Sequence, residues 1–236
     1  MSGLPLAPMV PLAPIVPLVP VVPLEAVAPE QIAAAFGLWV LWALVHSVLA
    51  APAVKARLEQ ALGPRATLYP LGYTLVSLIT FAAAWGLEPR LPQLIWAVTG
   101  PAELILHGLQ LAGLGLVGWA GLSVHAFKMF GLTQFWALLR NQAPEDRDLR
   151  QDFTSSGAYG VVRHPMHLGG MVFLACQPRL SLASLVFAVF GILYLLVGSL
   201  LEERRLAAAL GPVWADYARR VPMLIPRLWP RLWPRP

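Results

Sequence analysis

Residues Leu180 to Arg205 read LSLASLVFAVFGILYLLVGSLLEERR: twenty-two residues without a charge, then four charges in a row. A membrane-crossing helix needs about 20 mostly apolar residues. The run is therefore long enough to span a bilayer, and its charged end marks a return to water. Four more uncharged stretches precede it: Gln31 to Val54, Ala66 to Leu87, Leu104 to Phe127 and His164 to Pro178. The last is short, in the length range of re-entrant or merely buried helices. Of the 236 residues 58% are hydrophobic and 12% charged, against roughly 45–50% and about 25% in a soluble domain. A water-soluble globule is excluded. The chain reads as an all-α, polytopic helical bundle with about five transmembrane helices.

The net charge of +5 is a matter of sidedness rather than of nucleic-acid binding, because Lys and Arg gather in cytoplasmic loops. Five crossings put Lys55, Arg57, Arg65, Lys128, Arg140, Arg147, Arg150, Arg163, Arg204, Arg205, Arg219, Arg220, Arg227, Arg231 and Arg235 on one side, and Arg90 and Arg179 on the other. That asymmetry predicts an N-terminus outside and a C-terminus in the cytoplasm. No Lys or Arg precedes Lys55, so the first apolar stretch is expected to be a permanent anchor rather than a cleaved signal.

Two regions are expected: 1–30, a Pro-rich tail, and 31–236, the membrane domain. Between Pro5 and Pro23 every third residue is proline, the period of polyproline II, which suits a spacer or a disordered tail. The single Cys176 rules out an internal disulfide and a cysteine-built zinc site, and no metal site is expected. His46 and Ser47 interrupt the first stretch; polar residues at that depth should face the bundle interior. Gly108, Gly113, Gly115, Gly118 and Gly121 make the third stretch glycine-rich, which permits close helix approach and predicts a central position in the bundle. Arg140 to Asp152 reads as a charged surface loop.

The chemistry is concentrated from Gly157 through Tyr159, Arg163, His164, Pro165, His167, Gly169 and Gly170. Proline favours the first helical position, so Pro165 is expected to open the fourth helix, leaving free N–H groups that suit an anion beside the guanidinium of Arg163. A hairpin of the fourth and fifth helices would bring Glu202 and Glu203 toward Arg163 and His164. Singly, each residue has an ordinary explanation: an interfacial anchor, a helix cap, partners for Arg204 and Arg205. Together a cation, an imidazole and two carboxylates at one mouth, with Gly169 and Gly170 leaving room, suit a polar-headed cofactor.

The ordered set Gly157-x-Tyr159-x-x-x-Arg163-His164-Pro165-x-x-x-Gly169, Glu202-Glu203-x-x-Leu206, Gly211, Tyr217 and Val221-Pro222-x-x-Ile225-Pro226 resembles the integral-membrane methyltransferases of the isoprenylcysteine carboxyl and phospholipid type. His46-Ser47, Val54-Lys55 and Phe130-Gly131-Leu132-Thr133-Gln134 are more similar to the NnrU and methanethiol S-methyltransferase branch. The resemblance implies S-adenosylmethionine as cofactor, held within about 156–226 by Tyr159, Arg163, His164, Pro165, Gly169, Glu202, Glu203 and Tyr217. Arg163 would take its carboxylate, and one of the two glutamates its other polar groups. It implies a small or lipophilic thiol as acceptor, methanethiol giving dimethyl sulfide, and the candidate catalytic residues are Arg163 and His167. The location implied is a bacterial inner membrane, in contact with lipid and with the site toward the cytoplasm. The family often has Tyr where this chain has His167, and a Tyr-x-x-Tyr pair where it has Trp214 and Tyr217. Here the imidazole of His167 is suited to act as a base toward a thiol. The alternatives are an isoprenylcysteine carboxyl or lipid amine acceptor, or a non-methylating, haem-binding NnrU-like protein using His46, His107 or His125.

Overall fold

The computed structural model describes residues 27–142 and 153–227. Most of the Pro-rich tail, most of the Arg140 to Asp152 loop, and Trp229 to Arg235 lie outside these described residues. Proline and glycine set the helix boundaries. Helix α1 (Pro29–Ala50) stops at Ala51, whose extended backbone (φ −64°, ψ 130°) leads into Pro52; a residue before proline is disfavoured in helical geometry. Pro52 opens the short, charged helix α2 (Pro52–Leu62), which ends at Gly63 with φ +53°. Helix α3 (Tyr69–Leu87) follows, then strand β1 (Leu94–Ala97) and helix α4 (Pro101–Ser123). Two short helices, α5 (Ala126–Met129) and α6 (Leu132–Leu139), come next. The chain continues through helix α7 (Pro165–Ala175), strand β2 (Arg179–Ser181), helix α8 (Leu182–Leu210) and helix α9 (Pro212–Arg220).

Helices α1, α3 with the turn before it, α4 and α8 are long and apolar enough to cross a membrane. The fourth uncharged stretch is different. Its helix, α7, has 11 residues, about 16 Å at 1.5 Å per residue, roughly half of a 30 Å hydrocarbon core. The chain turns at Cys176 to Pro178, and just beyond the stretch β2 pairs antiparallel with β1, Trp96 opposite Leu180 and Ala97 opposite Arg179. The bundle is therefore all-α apart from this two-stranded clasp, and α7 does not cross by itself.

Packing runs in the order α3, α1, α8, α7, α4. At the strand end Trp39 is fully buried among Phe81, Phe187 and Phe190, and its indole N–H donates to Glu88 Oε1 at 3.0 Å. Toward the opposite end a polar network joins α1, α3 and α8: His46 Nδ1 lies 2.9 Å from Ser77 Oγ, its Nε2 2.6 Å from the Tyr73 hydroxyl, and Ser47 Oγ 3.3 Å from the Tyr194 hydroxyl. His46 thus faces neighbouring helices, as a polar residue at that depth must. Both its nitrogens are engaged, so neither is free to ligate haem iron.

The glycine-rich third stretch sits at the edge of this order rather than at its centre. Helix α4 packs mainly on α7, and a side chain added at Gly108, Gly115 or Gly118 would meet nothing within 4 Å. Gly113 alone of the five is pressed against backbone: a Cβ there would lie 2.6 Å from the carbonyl oxygen of Gly169. One matched pair, Gly113 and Gly169, suffices to bring two helices together. Gly108, Gly115 and Gly118 lie on an open face, while Gly121 is buried against Ala126.

Candidate active site

Three segments converge where α7 begins and α8 ends. Gly211 (φ +56°) ends α8 in a conformation that favours glycine, and Pro212 opens α9. This reversal folds α9 back, and Trp214 and Tyr217, three residues apart and so on one helical face, are buried. The following residues dock along the start of α7: the backbone N–H of Arg163 donates to Pro222 O at 2.9 Å and that of His164 to Met223 O at 3.1 Å. The Val-Pro segment after α9 is thus a clamp on the Arg-His-Pro turn.

Inside this clamp the charges are ordered. Arg163 Nε and Nη2 donate to the two oxygens of Glu203, each at 2.8 Å, while Nη1 donates to Ala218 O at 2.9 Å and Val221 O at 2.7 Å. Four of the five guanidinium N–H groups are committed. His164 lies between the glutamates, Nε2 at 2.7 Å from Glu203 Oε1 and Nδ1 at 3.3 Å from Glu202 Oε2. Burial opposes a charge on this ring, but hydrogen bonds to Glu202 and Glu203 and the charges of both carboxylates outweigh it, so His164 titrates above its ordinary value. Two cations then balance two anions. The glutamates differ in access: the Glu203 side chain is 19% exposed and locked to Arg163, whereas that of Glu202 is 48% exposed.

A cavity of about 560 Å³ opens beside this cluster, within the range of small-molecule sites. One end is apolar, formed by Val117 on α4, Gly170 on α7 and Leu195 on α8. Glu202 is seven residues beyond Leu195 on the same helix, about 10 Å further along, and lines the other end with Tyr159, Arg163, His164 and Tyr217. His167 stands between the two ends, its ring parallel to that of His164 with centroids 5.5 Å apart. The Tyr217 hydroxyl donates to Tyr159 O at 2.7 Å, tying α9 to the turn before Arg163. Burial, and then the charge of Glu202, push the Tyr159 hydroxyl up to about 12. Burial likewise raises Tyr217, and both hydroxyls stay protonated at neutral pH.

Neither a protein-family model nor a solved structure matches this chain. Individual relatives do. A Bradyrhizobium diazoefficiens protein named methanethiol S-methyltransferase 2 is 34% identical over 197 residues, covering 83% of this chain and 73% of the relative. The chain belongs to the methanethiol S-methyltransferase family. Two further methanethiol S-methyltransferases are similar: one from Pseudomonas deceptionensis, 30% identical over 80% of this chain and 70% of its own length, and one from Mycobacterium tuberculosis, 30% identical over 78% and 74%. As a member of this methanethiol S-methyltransferase family the chain is a methyltransferase, held in a membrane by apolar helices, and it requires a methyl donor.

Of the residues singled out in the sequence, Tyr159, Arg163, His164, His167, Glu202 and Tyr217 line one cavity. Pro165 is buried at the first position of α7. Glu203 stands behind Arg163 and His164 rather than on the cavity wall. Gly169 faces α4 instead of a ligand, since a Cβ there would lie 2.4 Å from Gly113 O; Gly170 is the glycine on the wall. Ser199, fully buried, is a residue that the sequence reading missed: its Oγ is 2.8 Å from His167 Nδ1. The available signal was its position three residues before Glu202, on the same helical face. His164, His167 and Glu202 also bring one ligand atom each within 4.8 Å of one another, a set with metal-binding composition. Both nitrogens of His164 and one of His167 are already engaged by Glu202, Glu203 and Ser199.

Proposed function

We propose that this protein transfers the methyl group of S-adenosylmethionine to methanethiol, or to a similarly small lipophilic thiol, and releases dimethyl sulfide in the first case. The observation carrying this reading is the division of the cavity: a fixed, charge-balanced cluster with one accessible carboxylate at one end, apolar walls at the other, and His167 between them. The residues present fit the donor. The Glu202 carboxylate suits its ammonium or ribose hydroxyl groups, the remaining Arg163 N–H suits its carboxylate, and Tyr159, Trp214 and Tyr217 offer aromatic faces. Domain 31–236 would carry the enzyme, with donor contacts within about 156–226.

When bound, S-adenosylmethionine supplies an electrophilic methyl on a sulfonium. The protein supplies orientation: α7 and α8 hold donor and acceptor ends of one cavity in a fixed relation, and positioning alone accelerates a two-substrate reaction strongly. No covalent protein intermediate is needed, and Cys176 is not on the cavity wall. The apolar end admits an acceptor that partitions into lipid, while the charged end carries Lys128 and Arg163, two of the fifteen Lys and Arg that the sequence gathers on one side. That asymmetry supports a site facing the cytoplasm of a bacterial inner membrane.

The test is methyl-labelled S-adenosylmethionine added to membranes containing the protein, with methanethiol as acceptor and headspace detection. Labelled dimethyl sulfide is expected from the unmodified protein, with at least a tenfold rise in donor KM for Glu202→Ala and little product from Arg163→Ala. Label found in lipid rather than headspace would reassign the acceptor, and no labelled product with any thiol would refute the reading.

A further inference from the structure

The hydroxyl of Ser199 lies against one nitrogen of His167. Ser199 Oγ has one hydrogen, which it donates to the Leu195 carbonyl oxygen one helical turn earlier at 2.9 Å. With that hydrogen on Leu195 O, the contact of 2.8 Å to His167 Nδ1 is made with Ser199 as acceptor and the imidazole as donor. His167 accordingly carries a proton on Nδ1 when neutral, and Nε2 presents a lone pair. The structure gives Nε2 no hydrogen-bond partner among the described residues, and His167 lines the cavity. Ser199 is completely buried, so water does not compete for Nδ1.

We infer that His167 Nε2 is the general base for the acceptor thiol and that Ser199 is its positioning residue. This rests on the thiol-methyltransferase reading above. In the step, the thiol S–H proton passes to His167 Nε2 and the sulfur forms a bond to the donor methyl carbon. The bond from that carbon to the sulfonium breaks, its electron pair remaining on the departing thioether sulfur. The imidazolium is then stabilised by Glu202, whose carboxylate lies within 4.8 Å of a His167 nitrogen and is half-exposed, giving the proton a way out. Other ionisable groups around the ring are His164, stacked on it, with Arg163, Tyr159, Tyr217 and Lys128 on the same cavity. From α4 the wall carries Val117 and no titratable side chain. The need for a base follows from the acceptor: an alkyl thiol is mostly protonated at neutral pH and only its thiolate is strongly nucleophilic.

The experiment compares methanethiol with a small acidic thiol, 2,2,2-trifluoroethanethiol, which is largely ionised at the assay pH. For Ser199→Ala and for His167→Gln the ratio of kcat/KM for methanethiol to that for the acidic thiol is expected to fall about 10-fold or more, the lower part of what general-base catalysis contributes. S-adenosylhomocysteine binding by calorimetry reports whether each variant is folded. Equal losses for both thiols in folded variants would make Ser199 structural and overturn the inference. A second measurement needs no variant. With methanethiol, kcat/KM of the unmodified protein is expected to level off above the histidine range; a proportional rise up to about pH 9.5 would mean that thiolate is taken from solution. Activity lost to a chelator and restored by zinc would also overturn it, assigning His167 Nε2 to a metal. Failure of the unmodified enzyme to methylate either thiol is a separate result that removes the proposed function itself.

Discussion

Glu202 and Glu203 are adjacent and identical in type, yet replacing each by alanine is expected to have opposite consequences. Glu203→Ala removes both carboxylate bonds to Arg163 and one to His164. It leaves a guanidinium whose side chain is 12% exposed with only Ala218 O and Val221 O as partners. Breaking a buried ion pair costs about 3–5 kcal/mol, and the residual solvent access here places the loss near the lower bound, about 3 kcal/mol. For a chain of this length each kcal/mol moves the midpoint by about 2–4 °C, so thermal unfolding in detergent micelles should begin about 6–12 °C earlier. Glu202→Ala deletes a half-exposed carboxylate with one long contact to His164, worth about 1 kcal/mol or less. Its Tm should move by no more than about 4 °C, while donor KM rises. The assay is a pair of melting curves with the two KM values. Equal destabilisation by the two substitutions, or an unshifted Tm for Glu203→Ala, would refute the assignment of Glu203 to structure and Glu202 to the ligand.

Three further outcomes can be checked together. Because the folded pKa of His164 is raised, the stability it contributes is complete below about pH 6.5, its unfolded value, and is lost as pH climbs through the folded value. The Tm difference between the parent and His164→Gln should therefore be larger at pH 6 than at pH 8.5. Gly169→Ala drives a methyl to within 2.4 Å of Gly113 O and should destabilise by about 1–3 kcal/mol, whereas Gly115→Ala, which meets nothing within 4 Å, should leave the melting curve in place. Tyr217→Phe removes the 2.7 Å bond to Tyr159 O and should cost about 1–2 kcal/mol, with a higher donor KM, measured in the same two assays.

The uncharged runs made the helices legible because a bilayer imposes a length on every segment crossing it. Pro29, Pro52, Pro101, Pro165 and Pro212 mark helix starts, since each sits at the beginning of a helix where a missing N–H costs nothing. The Arg163–His164 pair and the two glutamates were legible as one cluster because a hairpin brings the ends of consecutive helices together. The half-length of α7 was not: an uncharged run has the same composition whether it continues as helix or breaks off, and the clasp that follows it, Trp96 opposite Leu180, joins residues more than eighty positions apart. Nor was the peripheral place of α4, since glycine permits close approach without requiring it.

By itself the sequence determined that this chain lives in a membrane, which long apolar segments are helical, and which residue types meet at one end of the bundle. These follow from local composition and from the period of the helix. Only the tertiary structure decided which glutamate is locked and which is accessible, that Gly169 meets a helix and Gly170 a cavity, and that Ser199 lies against His167. Each of those depends on the rotation of one helix against another about its axis, where a change of 100° exchanges neighbouring residues between core and cavity. That angle is set by packing across the whole bundle, not by any stretch of residues within it.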